Sequence, residues 1–155
     1  PLAIWQTMTA LIFDGVLERF PTLRFGAIEL GAAWLPSWLQ TMDAGFAAFK
    51  KGEARLQKLS LLPSEYARRQ LRVTPYSHEP TEWILNQSDP TMLLFSSDFP
   101  HVEGGRNPLK RFEDQLLNAA QASKDRFYRD NFIDLMGEGL ASHLRYSKSE
   151  AATQH

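Results

Sequence analysis

The pairing in this chain best suited to chemistry is a carboxylate followed three residues later by an imidazole, Asp98 and His101 in Ser96-Ser97-Asp98-Phe99-Pro100-His101. A carboxylate can ligate a divalent metal and accept a proton from the metal-bound water, because the metal lowers that water's pKa to roughly 7. A histidine close to a carboxylate can act as a ligand or as an acid/base group. Met92 to Phe95, directly before this cluster, is a continuous apolar run that reads as a buried strand. Asp98 therefore stands at the C-terminal end of a strand, where α/β barrels hold their reactive groups. Two readings are open for it: a metal-binding or catalytic carboxylate, or a cap on the turn before Pro100.

Glu29 is the second candidate, the last side chain of a short apolar segment, Leu23 to Glu29, that closes on Gly31. Its carboxylate either meets a substrate or bonds backbone amides at the strand end. His78, beside Glu79, follows a third short segment, Leu71 to Thr74, and reads as a solvent-facing loop residue. Glu103 reads as the rim of a site, and His143 and His155 as surface and tail.

The elements that must position these groups alternate. Ile4, Met8, Leu11, Ile12 and Val16 recur at helical spacing up to Pro21, which predicts one helix from Ile4 to Phe20. After the Leu23–Glu29 strand, Pro36 suits the first turn of a helix, and Leu39, Met42, Phe46 and Phe49 form its inward face. Glu53 to Gln70 is more charged and is expected to be an exposed connector. Pro80 opens a helix through Trp83, Ile84 and Leu85. Asn107 and Pro108 are a cap and first position for a helix lined by Leu109, Phe112, Leu116 and Ala120. Ser123 is the expected cap of a last helix bearing Phe127, Phe132 and Leu135, with Gly137 just past its end. Strands separated by helices imply parallel pairing with the helices outside. Three β/α units are a little under half of an eight-stranded barrel, which takes about 250 residues.

Composition narrows the function. The 155 residues are 43% hydrophobic and 12% aromatic, enough for a sizeable core, and Trp5, Trp34, Trp38 and Trp83 are expected within it. Seventeen Lys and Arg against eighteen Asp and Glu, with neither gathered in a block, leave no footprint for nucleic acid. With no cysteine, a catalytic thiol, a thiolate metal site and a disulfide framework are excluded. The most apolar stretch, Phe25 to Leu39, is broken by Glu29 and Pro36 and falls short of the ~18 apolar residues of a membrane span. No basic, apolar leader opens the sequence, so a cytoplasmic location is expected. Gly104-Gly105-Arg106 is too short to cradle phosphate, and there is no Gly-x-Ser-x-Gly elbow.

Leu94-Phe95-Ser96-Ser97-Asp98-Phe99-Pro100-His101 resembles the last-strand signature of the amidohydrolase-related family, metal-dependent hydrolases and decarboxylases that include aminocarboxymuconate-semialdehyde decarboxylase. Gly15 to Phe25 is similar to the family's passage into its sixth strand, Glu29 to Pro36 to the loop after it, and Phe127 to Phe132 to its closing helix. The resemblance implies the C-terminal portion of a (β/α)8 TIM barrel, about strands 6 to 8, over residues 1–146, followed by a tail at 147–155. It implies that Asp98 is a metal ligand that also orients and deprotonates the attacking water, with His101 and Glu29 as further catalytic candidates. Glu29 stands where many members have histidine. The family's His-x-His pair and middle-strand histidine have no counterpart here, so the expected divalent metal, zinc, lacks most of its ligands and this chain is expected to be inactive alone. The expected partners are a small carbonyl or carboxylate substrate and, through exposed barrel edges, another chain. The absence of an initiating Met fits a chain that begins part-way through a longer gene product.

Overall fold

The computed structural model describes residues 2–145 of the chain. The expected tail, 147–155, and with it His155, lies outside them.

The predicted long first helix is two. α1 (Leu2–Phe13) ends where Gly15 takes a left-handed conformation, φ 73°, and α2 (Val16–Arg19) restarts from it. Glycine adopts such a φ without the Cβ clash that other residues meet, so the chain turns here and not at Pro21. Met8 and Ile12 of α1 and Leu17 of α2 are fully buried. β1 follows as Phe25–Ala27, shorter than the apolar segment that contains it.

α3 (Leu35–Phe49) begins with Pro36 in its first turn, where the missing N–H leaves no bond unmade. Leu35, Trp38, Leu39, Met42 and Phe46 form its buried face, three and four residues apart, whereas Phe49 is exposed. The stretch expected to be a connector contains α4 (Pro63–Gln70), and α4 is not a solvated turn: Tyr66, Ala67 and Gln70 are buried, with the charged residues on its other side. Its 3.6-residue period was obscured by Arg68 and Arg69, which reach back to cap and brace rather than to water. Arg69 donates to the carbonyl of Leu17 at 2.7 Å.

β2 (Leu71–Val73) leaves α4 directly and pairs in parallel with β1, in the register Phe25 to Leu71, Gly26 to Arg72 and Ala27 to Val73. Beyond β2, Leu93 forms a parallel bridge to Val73, with Val73 N–H on the Met92 carbonyl and Leu94 N–H on the Val73 carbonyl. The expected third strand is thus present as one bridge in the correct order. The ladder goes no further because Pro75, two residues after Val73, has no N–H to donate to the third strand, while Phe95 N–H, on that strand's other side, bonds the carbonyl of Phe127. α5 (Thr81–Gln87) buries Ile84 and Leu85 but leaves Trp83 half-exposed, against the expectation of four core tryptophans.

α6 (Pro108–Gln115) starts as expected, with the Asn107 side chain accepting from Lys110 N–H. Phe112 and Leu116 are buried, while Leu109 lies outside the inward stripe, 47% exposed. The closing segment is α7 (Gln121–Asp125), a π-helical turn (Arg126–Asp130) and α8 (Asn131–Met136), with a last short α9 (Ser142–Arg145). Ser123 falls inside α7 and does not cap it. Phe95, Phe112, Phe127 and Tyr128 pack together in edge-to-face and tilted pairs, ring centroids 5.0 to 6.3 Å apart.

α8 crosses towards the N-terminal end of the sheet. Buried Asn131 donates to the carbonyls of Pro90 and Leu93 at 2.7 Å, fixing the helix to the start of the third strand. Asp134 then accepts from Arg24, which precedes β1, at 3.0 Å and from buried Arg72 of β2 at 2.6 Å. Burial raises the Asp134 carboxyl, but the hydrogen bonds and charges of Arg24 and Arg72 outweigh it and hold the group below its usual value. In an α/β barrel this face serves stability, and the opposite face carries the site.

Candidate active site at the strand ends

Three loops leave the C-terminal ends of the three strands, and each sequence-derived candidate lies on one of them. Glu29 follows β1 by two residues and Asp98 follows the Leu93 bridge by five. Both have left-handed backbones, φ 60° and 53°, in residues that are not glycine. That conformation costs roughly 1–3 kcal/mol where the surroundings impose it, and such residues gather at functional sites.

The surroundings of Glu29 are explicit. Its N–H donates to the Thr74 hydroxyl at 3.0 Å, and its carbonyl accepts from the Tyr76 hydroxyl at 2.7 Å. Thr74 is buried and its own N–H continues the sheet to the Ala27 carbonyl. The end of β2 therefore grips Glu29 from both sides of its Cα. Freed from the backbone, the Glu29 carboxylate meets Nδ1 of His101 at 3.4 Å, with both side chains half-exposed. An ion pair this exposed contributes little to stability, so its significance is the geometry it sets between the first and third loops.

Asp98 sits inside a tight turn. Its Oδ1 accepts from the Ser96 hydroxyl at 2.7 Å, its N–H donates to the same hydroxyl, and its carbonyl accepts from His101 N–H at 2.7 Å. The turn-organising role considered for Asp98 is thus observed, and its second carboxylate oxygen has no protein donor among the described residues. Gly104 packs against the turn so closely that an added Cβ would collide with the Ser97 carbonyl.

His78 is exposed and stacks on Tyr76, centroids 5.4 Å apart and planes within 10°. His143 lies on α9, remote in sequence from all three loops.

One residue that sequence reasoning passed over is central to the arrangement. The Glu79 carboxylate accepts N–H bonds from Ala32 at 2.9 Å, Ala33 at 3.0 Å and Tyr76 at 2.8 Å, tying the loop after β1 to the loop after β2. Amide binding, one of the two roles open to Glu29, belongs to Glu79. The only hint in the sequence is Gly31-Ala32-Ala33, a run small enough for a carboxylate to reach its backbone.

The metal expected from the resemblance can be weighed against these residues. Among the described residues no three His, Asp or Glu side chains are grouped so as to hold a metal ion. Catalytic zinc ordinarily takes three protein ligands. The described residues by themselves do not group such a set, and Asp98 is at most one contributor to it.

A parallel β/α arrangement with its loops at the C-terminal strand ends is that of part of an α/β barrel. The chain is similar to an amidohydrolase from Mycobacterium avium subsp. paratuberculosis K-10, with 27% identity and a TM-score of 0.74 over 87% of this chain and 33% of that one. It is also similar in fold to 5-carboxyvanillate decarboxylase from Novosphingobium aromaticivorans DSM 12444, at 18% identity and a TM-score of 0.66, over 84% of this chain and 38% of that one. That decarboxylase was solved with manganese and 4-hydroxy-3-methoxy-5-nitrobenzoic acid. No family model and no curated protein matches the chain. The solved structures it is similar to are thus amidohydrolase-family proteins, the family its sequence resembles, and the chain spans 33% to 38% of their length. Its fold is that of a partial TIM barrel. Among the described residues no helix is long and apolar enough to cross a membrane.

Proposed function

We propose that this chain is the C-terminal part of a metal-dependent amidohydrolase-family hydrolase acting on a small carbonyl or carboxylate substrate. The observation that supports this best is Asp98: a carboxylate at a strand end, in a left-handed turn, one oxygen fixed by Ser96 and the other without a protein donor among the described residues. When bound, a divalent metal, zinc in this reading, supplies an activated water. Asp98 would hold the metal through its carboxylate and accept the proton of that water, and the other residues holding the metal would be supplied from outside this chain. His101 and Glu29, paired across the first and third loops, are the further catalytic candidates in this reading.

Non-oxidative decarboxylation is the alternative within the same family, favoured by the likeness in fold to a decarboxylase. Product analysis separates the two. The protein extended by its upstream coding sequence is incubated with small esters, lactones and amides on one side and aromatic carboxylates on the other. Acid release indicates hydrolysis and carbon dioxide indicates decarboxylation; either must stop with a chelator and with Asp98→Ala. Turnover that ignores both overturns the proposal.

A reading from a different class, a non-catalytic structural or binding half-barrel, draws on the absence of a three-ligand cluster among the described residues. β1 pairs only with β2 among them, so its other edge is open to a further strand. In that reading the chain pairs through this edge, and sedimentation of the 155-residue chain gives a dimer; a monomer that binds no metal in any longer form contradicts both.

A further inference from the structure

Among the described residues Glu79 holds no ion pair, and it lies outside the reacting groups proposed above, yet its carboxylate is the most heavily bonded at the strand ends. It takes N–H bonds from Ala32, Ala33 and Tyr76. A carboxylate is an acceptor at every lone pair, so this cradle of donors suits it and no neutral side chain of its shape. Gly31 shows how closely the two loops approach. Its φ is 64°, and a Cβ there would stand 2.8 Å from Oε1 of Glu79 and 3.0 Å from the Tyr76 ring. Trp34 seals the loop by donating from Nε1 to the Gly31 carbonyl at 2.7 Å.

The chain of contacts continues from this knot to the candidate site. Glu79 fixes the backbone of Tyr76; the Tyr76 hydroxyl bonds the Glu29 carbonyl; Glu29, held in its left-handed conformation, presents its carboxylate to Nδ1 of His101. We infer that Glu79 is a positioning residue, whose charge locks the loops after β1 and β2 into one unit and so sets the Glu29–His101 pair that reaches over to the Asp98 loop. Its functional meaning rests on the barrel-site reading. The coupling itself is a property of this chain alone.

A carboxylate beside Nδ1 stabilises the imidazole form that carries its proton on Nδ1, whereas a free neutral imidazole is not held to that form. The test is a long-range proton–nitrogen NMR spectrum of the 155-residue chain, on the alkaline side of the ordinary histidine range. The His101 signals are assigned by loss in His101→Gln, and Glu29→Ala supplies the pattern of a broken pair. In the wild type the Nδ1-protonated form is expected. In Glu79→Gln, whose amide group puts N–H donors against N–H donors, that form is lost and the spectrum moves to the Glu29→Ala pattern. Tyr76→Phe removes only the hydroxyl between the knot and Glu29 and must move it in the same direction. A folded Glu79→Gln protein with an unchanged His101 spectrum overturns the inference. Should Glu79→Gln not fold, an unchanged His101 in Tyr76→Phe overturns it equally. The readout needs no metal, so failure here and failure of the metallohydrolase reading are distinct results.

Discussion

Glu29 and Asp98, on the first and third loops at one end of the sheet, share a left-handed backbone, φ 60° and 53°, that neither residue type favours freely. Glutamate is the less suited of the two, because the short polar side chain of aspartate can bond locally, as Asp98 does through Ser96. Replacing Glu29 by glycine should remove this strain and raise stability by about 1 kcal/mol. Chemical denaturation would measure the gain, and a loss of stability would show that the side chain contributes more than the backbone costs.

The close packing behind Asp98 gives a second expectation. A methyl group at Gly104 would collide with the backbone carbonyl of Ser97 and come within 3.2 Å of the Asp98 Cβ. Backbone yields less readily than the end of a flexible side chain, so Gly104→Ala should cost about 1–3 kcal/mol. The displaced segment is the Asp98 turn itself, so amide chemical shifts should change there and not around Asp134. Shifts confined to α6 would contradict this.

At the opposite end, Asp134 ties Arg24 and Arg72 to α8. Its carboxyl is held below the usual value in the folded chain, against the upward push of burial, by the two arginines. Such a group stabilises the fold fully above its unfolded-state value, near 4, and the contribution is lost as pH falls through the lower folded-state value. Acid unfolding should therefore steepen below about pH 4, and Asp134→Asn should remove that part of the pH dependence. Asp134→Ala should cost about 1–2 kcal/mol at neutral pH, because it leaves buried Arg72 without its carboxylate, although Asp134 itself is partly exposed and Arg72 keeps carbonyl acceptors. Denaturation midpoints across the acid range would decide it; parallel curves for wild type and Asp134→Asn would be the contrary result.

Much of this architecture was legible in the chain itself. Apolar segments ending in Gly31, Pro75 and Ser96 marked three strand positions, and Pro36 and Asn107-Pro108 marked helix starts, because these residues act through their own backbone. What escaped was decided across long separations. Gly15 divides the first helix although the apolar period runs through it. The bond from Phe95 N–H to the carbonyl of Phe127, thirty-two positions away, leaves no mark on the local pattern. The charged face of α4 concealed a buried one. The position of Asp98 just past a strand was readable from the apolar run before it, whereas the bonds of Glu79 exist only because folding brings it to amides 46 and 47 residues earlier.

The central claim, that Asp98 is one ligand of a metal site completed by the rest of a barrel, is tested most directly by zinc titration of the protein extended upstream, with and without Asp98→Ala, beside the 155-residue chain. The account predicts about one equivalent bound by the extended protein, a marked loss of affinity in Asp98→Ala, and weak binding by the short chain. Tight zinc binding that is indifferent to Asp98, or no binding by the extended protein, would contradict it.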